Sequence, residues 1–167
     1  MNEPPNNDTA PHSGLSAPHS NRLIIFVKAP RPGFVKTRLA EAIGSDAACA
    51  AYRQLAETLF NNLAGLREVE LCFAPDKAAQ EVSPWLHPGW SLTPQGPGDL
   101  GDRLKNAFAS AFNDGCAKVA IIGSDCPDVT PNDIQTAWAA LDDTPLALGP
   151  ARDGGYWLVA LRAPHPE

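Results

Sequence analysis

Several familiar chemistries are excluded by what this chain lacks. It has four cysteines, Cys49, Cys72, Cys116 and Cys126; none pairs with another as C-x-x-C, and no histidine stands beside them. Neither a zinc site nor a disulfide framework is therefore expected, and reduced thiols in a cytoplasmic protein fit better. Positive charge is in deficit: 13 Lys and Arg face 19 Asp and Glu, a net charge of −6. That balance argues against general affinity for nucleic acid or an acidic membrane surface. No apolar run reaches the roughly 20 residues of a membrane-spanning helix. There is no internal repeat. The P-loop signature G-x-x-x-x-G-K-[ST] is not met, because Val35 precedes Lys36–Thr37 and position 30 is Pro. The dinucleotide fingerprint G-x-G-x-x-G is missing as well.

What remains describes one globular domain. A length of 167 residues, with 44% hydrophobic and 19% charged residues, is enough to bury a core without staples. The first twenty residues, "MNEPPNNDTAPHSGLSAPHS", are polar and rich in Pro, Asn and Ser. They lack a signal peptide's basic start and apolar stretch, and read as a disordered tail in which His12 and His19 are solvated. The domain is expected over residues 21–167.

Strands and helices then alternate. "LIIFV" at 23–27 is a β-branched apolar run suited to a strand buried on both faces. A loop over 28–36 leads into helical sequence. Ser45 is a candidate cap for a helix starting near Asp46, whose Ala48, Ala51, Tyr52, Leu55, Leu59, Phe60 and Leu63 form one apolar stripe. "VELCFA" at 69–74 is the second strand, and Ser91–Gln95 a weak third. "GPGDLG" opens a helix that Gly115 ends. "KVAIIG" at 118–123 is a clear strand, and Thr130, Pro131 and Asp133 make a capping-box start to a helix reaching about Leu141. "LALG" and "YWLVAL" supply two more strands around "PARDGG". The pattern is that of an α/β domain with a largely parallel sheet, whose ligands bind beyond the carboxyl ends of the strands.

Four segments carry candidate chemistry. In "FVKAPRPGFVKTRLA", Lys28, Lys36 and Arg38 crowd a strand-to-helix loop of an otherwise acidic chain. Two point charges and a guanidinium fork suit a polyphosphate, although ordinary surface lysines would look the same. In "GSDCPDVTP", Asp125 stands where a buried strand ends; a carboxylate there needs compensation, which Mg²⁺ or Mn²⁺ would provide. Asp128 is a second metal candidate or a helper in capping the next helix, and Cys126 is read as a packing residue. In "GPARDGGYWLVAL", Gly154 and Gly155 permit a tight turn that projects Asp153, either as a turn former or as a group that assists the metal or acts as a catalytic base. In "GDLGDRL", Asp99 and Asp102 suit a helix start, and Arg103 is a candidate phosphate contact.

In this order the four segments resemble bacterial glycosyltransferase-like proteins of the nucleotide-diphospho-sugar transferase superfamily. These occur with radical-SAM enzymes, and some are described as arsenosugar-biosynthesis-type glycosyltransferases. The resemblance covers residues 22–162, and "VKTRL" is also similar to 2-phospholactate guanylyltransferases. It implies a three-layer α/β/α GT-A fold with a mixed, mostly parallel sheet. It further implies nucleotide binding through Lys28, Lys36 and Arg38, and a divalent metal at Asp125. The chain has "SDCPD" in place of a plain D-x-D, which leaves the part of Asp128 open. Similar proteins continue some tens of residues beyond the "DGGY" strand, whereas this chain stops at "RAPHPE", so a C-terminally shortened domain is expected.

The expected activity is metal-assisted transfer from a nucleotide-activated substrate, foremost of a glycosyl group from an NDP-sugar to a small-molecule acceptor. A nucleotidyltransferase consuming an NTP and releasing pyrophosphate is the alternative, followed by a non-catalytic nucleotide-binding domain. A haloacid-type phosphatase is disfavoured, because position 28, after the first strand, is Lys where that chemistry requires Asp.

Overall fold

Alternation along the strands builds the sheet. The computed structural model describes residues 20–163, so most of the expected N-terminal tail, with its two histidines, lies outside the described residues. In β1 (Asn21–Lys28), Leu23, Ile25 and Val27 point to one face, while Ile24 and Phe26 point to the other. The same period of two runs through β2 (Val69–Ala74) and β4 (Lys118–Gly123), where Ala120 and Ile122 oppose Val119 and Ile121. Both faces are apolar because both are covered.

The larger face receives α2 (Ser45–Leu63), α5 (Pro131–Ala140) and the segment carrying Trp85 and Trp90. Leu59, Phe60 and Leu63 of α2 are at most 1% exposed, and each contributes about 1.5–3 kcal/mol of burial. The smaller face receives α4 (Leu100–Asn113) through Phe108 and Ala111. Sheet, helices on one side and helix on the other make the three-layer α/β/α arrangement that the resemblance implies.

Helix starts follow local chemistry. Asp99 caps α4 and Thr130 caps α5, each in a reciprocal capping box with the acid three residues on, Asp102 and Asp133. Ser45 is not the cap of α2: Gly44, at φ 85°, holds that position and separates α2 from a preceding short helix, α1 (Thr37–Ile43). A left-handed glycine ends one helix and starts the next, a break that the apolar stripe does not announce. A single turn, α3 (Ala79–Val82), precedes the Trp85 segment.

The six strands lie in the order β3-β2-β1-β4-β6-β5, completed by β3 (Ser91–Pro94), β5 (Leu146–Pro150) and β6 (Tyr156–Arg162). β1 to β4 are mutually parallel; β6 runs antiparallel to β4, and β5 antiparallel to β6. The loops leaving β1, β2, β3 and β4 therefore share one rim. Leu158 pairs with Ile122, so the turn entering β6 reaches that rim too. β1 has β2 on one side and β4 on the other, which makes the gap between the loops after β1 and β4 the topological switch point of the sheet, where open α/β sheets bind ligands.

Candidate active site

Two loops face each other across the switch point. The first leaves β1 at Lys28 and is anchored by buried Ala29, Pro30 and Val35. Arg31 turns away from the gap and pairs with Glu81, at 2.9 and 2.5 Å. Lys36 lies in the left-handed region at φ 48°, ψ 45°, a conformation that costs a non-glycine residue about 1 kcal/mol. It sends its Nζ across the gap to donate to Asp125 Oδ2 at 2.8 Å. Lys28 and Arg38 are exposed and form no side-chain hydrogen bond or ion pair among the described residues. Of these three cations, Lys36 holds the opposite carboxylate, Lys28 stands at the start of the loop and Arg38 in the helix that follows it.

Asp125 is less buried than its place at a strand end leads one to expect. Its side chain is 51% exposed, and its charge is met by water and by Lys36. The close approach of Gly123 shapes this bend, since a Cβ there would stand 3.1 Å from Asp125 Oδ1. Asp128 is exposed and takes no part in capping α5, which Thr130 and Asp133 cap between them. Burial, and then the charge of Asp125, push the Cys126 thiol above its ordinary value. It is a neutral thiol at physiological pH, in keeping with a packing residue.

The turn between β5 and β6 closes the same side of the rim. Asp153 Oδ1 accepts from the Gly155 amide at 3.1 Å, and Gly154 sits at φ 87°. Asp153 therefore shapes its own turn with one oxygen, and its Oδ2 has no partner among the described residues. Its neighbour Arg152 lines an open cavity of about 420 Å³ together with Asp125, Asp128 and Trp157.

Arg103 is more constrained than a free phosphate contact. Its Nε donates to the Gly98 carbonyl at 3.0 Å and its Nη1 to Gln95 Oε1 at 3.1 Å. Gln95, buried, donates in turn to the carbonyls of Val27 and Cys72, at 3.2 and 2.9 Å. The structure brings Lys36 and Asp125 into contact and places Lys28, Arg38, Asp128 and Asp153 on the same rim. Arg103 is held at its β2–β3 side. Sequence reasoning missed Gln95, Ser124 and Arg152, and took Tyr52 only as part of an apolar stripe.

A divalent cation has a limited donor set here. Among the described residues no three His, Cys, Asp or Glu side chains converge to hold one. Asp125 and Asp128 are carboxylates on one loop and line one cavity, with Lys36 on Asp125. That does not fit an all-protein cage. It does fit the mode in which Mg²⁺ takes one or two carboxylates and completes its shell with substrate phosphates and water.

The comparisons with known proteins agree with this architecture. A proposed nucleotide-diphospho-sugar transferase from Desulfovibrio desulfuricans G20 superposes with a TM-score of 0.80 at 37% identity, over 87% of this chain and 64% of that one. A cytidylyltransferase from Leptospira borgpetersenii serovar Hardjo-bovis matches at 0.56 and 13% identity, over 87% of this chain and 61% of that one. A 4-diphosphocytidyl-2C-methyl-D-erythritol synthase matches at 0.54 and 12%, over 89% and 77%. This chain has the nucleotide-diphospho-sugar transferase fold, and it spans less than two thirds of the length of the first two structures. A family model for uncharacterized proteins conserved in bacteria (DUF2064) matches residues 58–167, and the chain belongs to that family. No curated protein matches it. Among the described residues, no helix is long and apolar enough to cross a membrane.

Proposed function

We propose that this chain is a metal-assisted transferase acting on a nucleotide-activated substrate, moving a glycosyl group from an NDP-sugar to a small-molecule acceptor. The observation that carries the reading is the Lys36–Asp125 contact of 2.8 Å across the switch point. A phosphate-binding cation and a metal-binding carboxylate are held within reach of one diphosphate. The 37% identity to a proposed nucleotide-diphospho-sugar transferase supports the same class. The arsenosugar-type assignment remains part of this proposal, as does a cytoplasmic location, which the four free cysteines favour.

In this reading Lys28, Lys36 and Arg38 spread positive charge along the diphosphate, and Arg103 adds a fork from the β2–β3 side. Asp125, with Asp128 beside it, would hold Mg²⁺ or Mn²⁺, which when bound neutralises charge on the departing nucleotide diphosphate. Asp153 presents Oδ2 from the hairpin turn to take the proton of the acceptor hydroxyl. The cavity beside Arg152 leaves room on the acceptor side. Asp125→Ala should abolish Mn²⁺-dependent nucleotide binding while the chain stays folded; unchanged binding would sink the metal assignment.

A second reading, nucleotidyl transfer, draws on the number of cations. Lys28, Lys36, Arg38 and Arg103 together suit a triphosphate as well as a diphosphate. Pyrophosphate release from an NTP, without turnover of NDP-sugars, would select it. Nucleotide binding without any turnover would select a non-catalytic role.

A further inference from the structure

The two facing loops are joined at their roots by one buried phenol. Tyr52, on α2, is 4% exposed, and its hydroxyl touches three groups. The Lys28 amide donates to it at 2.9 Å, it lies 3.1 Å from the Lys28 carbonyl, and it is 2.8 Å from Ser124 Oγ. A phenol has one hydrogen to give. With that hydrogen on the Lys28 carbonyl, the oxygen accepts from the Lys28 amide and the Ser124 hydroxyl, and all four groups are satisfied. Lys28 begins the cationic loop, and Ser124, 5% exposed, immediately precedes Asp125. The bond thus spans from the end of β1 to the end of β4, across the switch point itself. Burial, outweighing these hydrogen bonds, pushes the phenol above its ordinary range, so it stays neutral.

None of these contacts is required by packing alone. The Tyr52 ring meets Trp85 edge-on at 6.4 Å, and a phenylalanine would keep that contact. What phenylalanine removes is the tie between the loops. We propose that Tyr52 is a positioning residue: through Lys28 and Ser124 it sets the spacing between the cationic loop and Asp125, so that one diphosphate with its metal meets both without rearrangement. Small displacements at such roots are costly, because charge-assisted contacts are directional.

The inference rests on the diphosphate reading of the site, and the test separates the two. The probe is inorganic pyrophosphate with Mn²⁺, which needs no knowledge of the base or sugar, titrated calorimetrically into the full chain well below its melting temperature. For Tyr52→Phe, affinity should fall at least tenfold while the chain remains folded, and the Lys28 amide should exchange faster with solvent. Ser124→Ala should weaken binding in the same direction. The double variant should be no weaker than Tyr52→Phe alone, because both act through one tie. A merely structural Tyr52 would lower the melting temperature and leave the affinity unchanged; that result overturns the positioning role. Failure of the wild-type chain to bind pyrophosphate with Mn²⁺ overturns the reading of the site, and the inference with it.

Discussion

Replacing Lys36 by methionine should move two affinities in opposite directions. Its Nζ lies 2.8 Å from Asp125 Oδ2, with the two side chains 27% and 51% exposed. Pairs this open to water are worth about 0.2–1 kcal/mol. The variant should therefore lose no more than about 1 kcal/mol of stability. Removing the lysine also frees Asp125 and takes a positive charge away from the metal position. Mn²⁺ alone should then bind up to about fivefold more tightly, since 1 kcal/mol corresponds to that factor. With nucleotide present the sign reverses. A lysine hydrogen-bonded to a phosphate contributes about 1.5–3 kcal/mol, so nucleotide affinity should fall roughly ten- to a hundredfold. Free Mn²⁺, followed by its electron paramagnetic resonance, reports the first affinity, and calorimetry at low ionic strength reports the second. Weaker Mn²⁺ binding in the variant, or nucleotide binding equal to wild type, would refute the exchange of partners.

Other expectations follow from the same geometry. Lys36→Gly should be more stable than Lys36→Ala by about 1 kcal/mol, because only glycine adopts φ 48° without penalty; a denaturant melt measures the difference. Charge reversal at Lys36 should weaken nucleotide binding by at least about an order of magnitude. Gly149→Ala would place a Cβ 2.6 Å from Trp157 Cε2, so it should cost about 1–3 kcal/mol and shift tryptophan fluorescence. Asp133 is held below the usual carboxylate value by its hydrogen bonds to the Thr130 side chain and backbone. Its folded-state value is depressed, so its contribution is complete above about pH 3.9 and is lost as pH falls through the lower, folded value. Asp133→Asn should flatten that acid limb in melting curves.

Much of the fold was legible because its signals are local. The apolar run 23–27 sits inside β1, "KVAIIG" is β4 itself, and Thr130-Pro-x-Asp marks the start of α5. Strand order was not legible. The β5–β6 hairpin is a local feature, but the pairing of β6 rather than β5 with β4 depends on packing across the whole sheet. The candidate site divides in the same way. Lys28, Lys36, Arg38 and Asp125 stood out by charge at strand ends. Asp125 is half exposed instead of buried, and its partner Lys36 lies 89 residues away in sequence, so the pair was not legible. Arg103 stood out as a cation, but its ties to Gly98 and Gln95 depend on tertiary placement. Tyr52 gave no signal at all: in the sequence it fills a core position of an amphipathic helix, and only the fold brings its hydroxyl to Ser124.

In the proposed reading the switch-point gap holds a nucleotide diphosphate together with a divalent metal. A thermal-shift panel of NTPs, NDPs and NDP-sugars, each with and without Mn²⁺, tests it most directly. A ligand at a hundred times its dissociation constant adds about 2.7 kcal/mol, which for a chain of this size raises the melting temperature by roughly 5–10 °C. Such a rise is expected with an NDP or NDP-sugar, dependent on Mn²⁺ and lost in Asp125→Ala. No rise with any nucleotide, with or without the metal, would contradict it.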